Sequence, residues 1–231
     1  MALECRDITF QYPHSDDPVF DRLSFRIGTP GFHGLFGPSG VGKTSLARIL
    51  SGDLKGLSGI CHMEGRSRLL YSYNLERLPG WSSVGRHLER VTPASLETRR
   101  DALLAEFGMN GLTASRFSQL SLGQQNRINL IRYLLQDFDL LIMDESLANV
   151  DEVTRENIIL TIKANFPDRY FLYISHNVVE VSRFCRDIVV FRRPGKVPQT
   201  MVVRGLDYLG EEGEDKGNLD HTMLEIMNAS A

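Results

Sequence analysis

Nine consecutive residues, Gly37-Pro38-Ser39-Gly40-Val41-Gly42-Lys43-Thr44-Ser45, carry the clearest chemistry in this chain. They fit G-x-x-x-x-G-K-[ST], a loop whose glycines let successive backbone N–H groups point into one anion-binding concavity. In that pattern Lys43 reaches the β- and γ-phosphates of a nucleoside triphosphate, and the Thr44 hydroxyl ligates Mg²⁺. The helix expected from Ser45 onward aims its positive N-terminal dipole at the same phosphates. A second group narrows the reaction. The apolar run Leu140-Leu141-Ile142-Met143 ends in Asp144 and Glu145. A strand buried on both faces delivers its last residues to the carboxyl edge of a parallel sheet, where ligands sit. Asp144 would hold Mg²⁺ there, directly or through water. Glu145, one residue on, would face the γ-phosphate and polarise an attacking water as general base. A third group, Leu120-Ser121-Leu122-Gly123-Gln124-Gln125, reads as a helix start. Ser121 can cap it, and Gly123 leaves room for an anion near the backbone.

Positioning these residues takes alternating strands and helices. Residues 3–12 and 19–27 read as paired strands around the turn at 13–18, and 32–36 is a short strand entering the phosphate loop. Residues 69–73 are another strand candidate, and 84–136 are mostly helical, with Ile128, Ile131, Leu134 and Leu135 on one face. The strand at 140–143 precedes a helix over 152–166, stopped by Pro167, with Val153, Ile159, Ile162 and Phe166 as its expected core face. Strands at 170–174 and 187–191 follow. Such alternation predicts an α/β fold with a parallel sheet. Residues 210–220 are acidic and Gly-rich and read as a solvated loop, with a short helix in the last ten residues.

Composition sets the outer bounds. A chain of 231 residues supports one large domain, with or without a subdomain. Its net charge of −3 gives no general reason to expect nucleic-acid binding, although a local basic patch would be compatible with it. Cys5, Cys61 and Cys185 are odd in number and widely spaced, and read as free or buried thiols of a reducing compartment, with neither a disulfide frame nor a zinc site. Neither a signal peptide nor an apolar run of membrane-spanning length is visible in the sequence. Any membrane association is expected through a partner.

Together the three motifs resemble the ATP-binding subunit of an ABC (ATP-binding cassette) transporter. Residues 120–124 match the Leu-Ser-Gly-Gly-Gln signature except at Leu122. Ala148-Asn149-Val150-Asp151 stand where the family has Ser-Ala-Leu-Asp, Ser175-His176-Asn177 match the switch-histidine motif, and Tyr12 stands where an aromatic stacks on adenine. Arg192-Arg193-Pro194-Gly195-Lys196-Val197 looks like a stretch of importers for nitrate, sulfonate and taurine. The resemblance runs over residues 3–197. It implies a P-loop nucleoside triphosphatase core with a mostly parallel sheet, an N-terminal antiparallel β subdomain and an inserted helical subdomain. The core would take residues 1–72 and 136–200, the helical arm and signature helix 73–135, and a tail 201–231. It further implies two subunits paired head to tail around two ATP molecules. Ser121 and Gly123 with Gln124 would cover the partner's ATP, Asp151 would bridge the subunits, and His176 would hold the γ-phosphate and water. The expected activity is ATP hydrolysis driving a membrane permease, most simply in import, with a solute-binding protein as a further partner. The chain would lie in the cytoplasm on the inner face of the membrane. The alternatives are a soluble ABC ATPase acting on nucleic acid or ribosomes, and a weakly active nucleotide-sensing partner. Trp81 and Leu88 are candidates for the permease contact, or pack inside the arm.

Three departures stand out. The family's Gln after the strand at 69–73 falls on Tyr73, followed by Asn74, whose shorter amide is the available substitute. Ser146 replaces the usual Pro after Glu145, and the connection between residues 65 and 69 looks trimmed.

Overall fold

The computed structural model describes residues 2–65, 67–74, 76, 78–193, 195–210 and 216–230. The chain opens with two strands, β1 (Leu3–Phe10) and β2 (Phe20–Ile27), then β3 (Gly31–Phe36), which runs into the phosphate loop and α1 (Lys43–Leu50). β4 (Ser58–Met63) and β5 (Leu69–Tyr73) follow, then the helices α2 (Val84–Val91), α3 (Glu97–Glu106) and α4 (Leu122–Leu134). The second half alternates: β6 (Leu140–Asp144), α5 (Glu152–Asn165), β7 (Tyr170–Ile174), α6 (Val178–Phe184), β8 (Asp187–Phe191), β9 (Thr200–Arg204) and α7 (Lys216–Ser230).

These strands make two sheets. A six-stranded sheet has the order β5-β6-β7-β3-β8-β9, parallel apart from the antiparallel edge strand β9. A three-stranded antiparallel sheet has the order β2-β1-β4. The expected α/β class, with a small N-terminal antiparallel sheet, is what the chain forms. Both faces of the large sheet are covered, so β6 and β7 are buried at every position. Their side chains alternate between two cores. Leu141, Met143, Phe171 and Tyr173 face the helices, whereas Leu140, Ile142, Leu172 and Ile174 face α1 and the small sheet. Fixed this way, the carboxyl ends of β3, β6 and β7 come out side by side.

Three expectations need correction. Val153 is 71% exposed, and Ile158 takes its place in the core of α5. At about 100° per residue, Val153 falls opposite the face made by Ile158, Ile159, Ile162 and Phe166. Cys5 and Cys61 are not free thiols but form a disulfide. The β1/β4 register makes them direct cross-strand neighbours, which a separation of 56 residues does not reveal. Cys185 alone is a free, buried thiol, and burial pushes it up well above the ordinary thiol range. Residues 216–220, expected in a loop, belong to α7, which buries Thr222, Ile226 and Ala229 against the body of the fold. Of the two readings left open for Trp81 and Leu88, Leu88 takes the one that packs it inside the helical core, whereas Trp81 is 83% exposed.

Candidate functional site

Gly37 and Gly42 bend the loop after β3 by positive φ angles of 150° and 100°. Both also allow close approach: a Cβ on Gly37 would lie 2.8 Å from Phe191, and one on Gly42 would lie 2.6 Å from Val19 and Phe20. Lys43 turns back into the loop, where its Nζ donates to the carbonyls of Gly37 (2.7 Å) and Pro38 (2.8 Å). Burial pushes its amine below the usual range, opposed by the charges of Asp144 and Glu145. The Lys43 ammonium is thus poised for an anionic ligand.

One residue on, Thr44 Oγ1 donates to Asp144 Oδ2 at 2.8 Å, joining the loop to the end of β6. Tyr71 OH donates to the same oxygen at 3.0 Å. Burial raises the Asp144 carboxyl, and the two hydroxyls partly offset this. Glu145 leaves the strand with φ at 52°, a strained left-handed conformation for a residue with a side chain. That turn puts its Oε1 2.7 Å from His176 Nε2. Ser146 is buried and its hydroxyl donates to the Ser72 carbonyl at 3.0 Å, a bridge between the end of β6 and β5 that a proline could not make. A cavity of about 330 Å³ is lined by Tyr12, Lys43, Thr44, Asp144, Glu145 and His176 among others. Tyr12 is fixed at its wall by a 2.9 Å hydrogen bond between its hydroxyl and Ser45 Oγ.

The residues expected to act on a partner's nucleotide stand elsewhere. Ser121 caps α4, its Oγ accepting from Gln124 N, while Gln124 Oε1 accepts from Ser121 N. Gly123 is needed for packing as well: a Cβ there would sit 2.3 Å from the Asn149 carbonyl oxygen. Leu122, at the signature's odd position, is 48% exposed. Asp151 caps α5 by accepting from Thr154 N at 2.9 Å, which lowers its carboxyl. The structure therefore gathers Tyr12, the phosphate loop, Asp144, Glu145 and His176, and leaves Ser121, Gly123, Gln124 and Asp151 outside the lining of that cavity.

Asn74 does not face the cavity lining either. Its Oδ1 accepts from Asn126 Nδ2 (3.1 Å), which also donates to the Ala148 carbonyl (2.7 Å). Two residues on, the Glu76 carboxylate accepts from Asn129 and Tyr133, both at 2.8 Å, and pairs with Arg132. The segment after β5 is strapped to α4.

Sequence reading missed Tyr71, Asn126, Arg155 and Glu180. Glu180 is a carboxylate only 6% exposed that accepts from Arg155, Tyr173 (2.8 Å), Ser175 (3.1 Å) and Asn177 (3.1 Å). No local motif marks these residues: Tyr71, Asn126 and Arg155 each reach a partner on an element distant in sequence, and Glu180 joins the local turn at residues 173–177 to Arg155 of α5.

Thr44 Oγ1 and Asp144 are hard oxygen donors of the kind Mg²⁺ accepts when phosphates complete its shell. Among the described residues there is no group of three or more His, Cys, Asp or Glu that could hold a metal ion. Among those residues no helix is long and apolar enough to cross a membrane.

Residues 20–148, more than half of the chain, match the family model described as ABC transporter. The chain belongs to the ABC transporter family. It is an ABC transporter ATP-binding protein, of a family that hydrolyses ATP. Among relatives, it is 32% identical to the molybdenum import ATP-binding protein ModC of Mesorhizobium japonicum over 82% of this chain, spanning 58% of that protein's length. It is 30% identical to the taurine import ATP-binding protein TauB of Pseudomonas savastanoi pv. phaseolicola, over 85% of this chain and 81% of that one. The ABC ATPase fold recurs in a bacterial Atm1-family ABC exporter with ATP bound, at TM-score 0.75 and 19% identity, covering 98% of this chain and 41% of that one.

Proposed function

We propose that this ABC subunit binds MgATP in the Tyr12–Lys43–Asp144 cavity, pairs with a second cassette around ATP, and powers solute movement through a membrane permease in the import direction. The observation that carries this reading is the Glu145–His176 contact at 2.7 Å on the wall of a cavity that also holds Lys43, Thr44 and Asp144. Lys43 would exchange the Gly37 and Pro38 carbonyls for phosphate oxygens, and Tyr12 would stack on the adenine. Thr44 and Asp144 would hold Mg²⁺, which neutralises phosphate charge. Glu145 takes the proton as the water oxygen bonds to the γ-phosphorus. The bond from that phosphorus to the β–γ bridging oxygen breaks, and ADP and phosphate leave. His176 fixes the carboxylate and the water. Ser121 and Gly123 with Gln124 would close on the partner's ATP, and Asp151 would bridge the two subunits. The import direction draws support from the molybdenum and taurine relatives, whose names describe import. A permease, a solute-binding protein and a cytoplasmic position under the membrane complete the reading.

Glu145→Gln is expected to lower the steady-state ATPase rate by at least about 100-fold. ATP affinity by calorimetry should stay within about twofold. Undiminished turnover would refute the assignment of Glu145. Lys43→Ala, in contrast, should weaken ATP binding itself.

A further inference from the structure

Glu145 and His176 meet through exposed side chains, so their geometry depends on what fixes the backbone around His176. That backbone is held by Glu180. Ser175 Oγ and Asn177 Nδ2, on either side of His176, both donate to the Glu180 carboxylate, and Tyr173 OH donates to it from β7. Asn177 also caps α6, its Oδ1 accepting from Val179 N and Glu180 N, and its own N–H donates to Ser175 Oγ. The remaining partner of Glu180 is Arg155 of α5, whose Nη2 donates to the Val150 carbonyl at 2.6 Å. Val150 lies between Asn149, which packs on Gly123 of α4, and Asp151. Arg155 and Glu180 therefore link the 148–151 segment to the turn that carries His176.

We propose that Glu180 and Arg155 are positioning residues for the Glu145–His176 pair, holding the 175–177 turn so that His176 Nε2 meets Glu145. This rests on the hydrolytic reading of Glu145 and His176 given above. Neither residue lines the 330 Å³ cavity, so both act through His176 and not on the nucleotide. Misplacing a reacting group by about 1 Å costs up to roughly 100-fold in rate. Losing the grip on the turn therefore lowers kcat and leaves ATP affinity alone.

The test is a cycle of ATPase measurements on the full chain: Glu180→Gln, His176→Ala and the two combined, with ATP affinity by calorimetry. Glu180→Gln is expected to lower kcat by roughly 10–100-fold, with KM and ATP affinity within about twofold. The double variant should be no slower than His176→Ala alone, because a residue acting through His176 has nothing left to position. Arg155→Lys keeps the positive charge beside Glu180 and gives up the planar fork that reaches Glu180 and the Val150 carbonyl at once; its kcat should be intermediate, and its loss should likewise vanish in the His176→Ala background. If Glu180→Gln fails to fold, this second cycle decides. Multiplicative losses in the double variants, or a raised KM at unchanged kcat, would overturn the positioning role. An undiminished kcat in His176→Ala would instead overturn the reading of the site, and the proposal with it.

Discussion

Asp144 Oδ2 accepts from two hydroxyls at once, Thr44 at 2.8 Å and Tyr71 at 3.0 Å. Burial keeps the Tyr71 phenol well above the ordinary tyrosine range, so it stays a donor at any working pH. Tyr71→Phe removes one of the two groups that orient the carboxylate. The affinity for Mg²⁺ in the presence of ATP is expected to fall about 10-fold, while ATP affinity without metal is unchanged. Calorimetric titrations at stepped Mg²⁺ would show this, and an unaltered Mg²⁺ dependence would contradict it. The contrast between Thr44 and Tyr71 also shows what a sequence discloses at this scale. Lys43, Thr44, Asp144 and Glu145 are legible because the phosphate loop and the strand-end acids are local patterns whose spacing is chemistry. His176 and Tyr12 needed the family likeness. Tyr71 looks like any strand tyrosine until β5 is placed beside β6, and Glu180 is an ordinary helix glutamate until four donors converge on it.

Gly123 decides the behaviour of α4. Alanine there would gain up to about 1 kcal/mol of helix propensity. Its Cβ, however, would stand 2.3 Å from the Asn149 carbonyl oxygen, and overpacking of that kind costs about 1–3 kcal/mol. Gly123→Ala should therefore lower the urea midpoint; a raised midpoint would mean that the 148–151 segment yields freely. The same element-level view explains which parts of the fold could be read in advance. β6 and β7 announced themselves as unbroken apolar runs, and α4 by its buried stripe. α5 misled because Val153 is apolar yet lies on the wrong side of the helix. The extent of α7 was hidden because Gly217, Asn218 and Asp220 look like loop residues, while Thr222, Ile226 and Ala229 supply the buried face. The Cys5–Cys61 pairing needs the β1/β4 register, which has no signature in the sequence.

Across the molecule, electrostatics tie the large sheet together at Asp187. Beside it stand His33 of β3, 3.3 Å away, and Arg204 of β9, which donates at 2.7 Å; together they hold its carboxyl down to about 2. A carboxylate depressed on folding stabilises the native state above its unfolded pKa and loses that contribution as pH falls. The window here is about pH 4 down to about 2, and after solvent screening the contribution is about 1 kcal/mol. Asp187→Asn should lower stability at pH 7 and flatten the decline between pH 4 and 2, measured by urea unfolding at each pH. The pairing of cassettes is also a whole-molecule property. Glu145→Gln with MgATP should double the mass seen by light scattering relative to the nucleotide-free protein, and a mass that stays monomeric would count against closure around ATP.

Trp81 is the single tryptophan of the chain, and its indole stands 83% exposed near the start of the helical region. Intrinsic emission therefore reports from one place only. A red-shifted spectrum is the expected signature of the free subunit, and a blue shift on mixing with a permease in detergent would locate the docking face without any label. Because Trp81 is absent from the lining of the nucleotide cavity, ATP by itself should leave the spectrum nearly still.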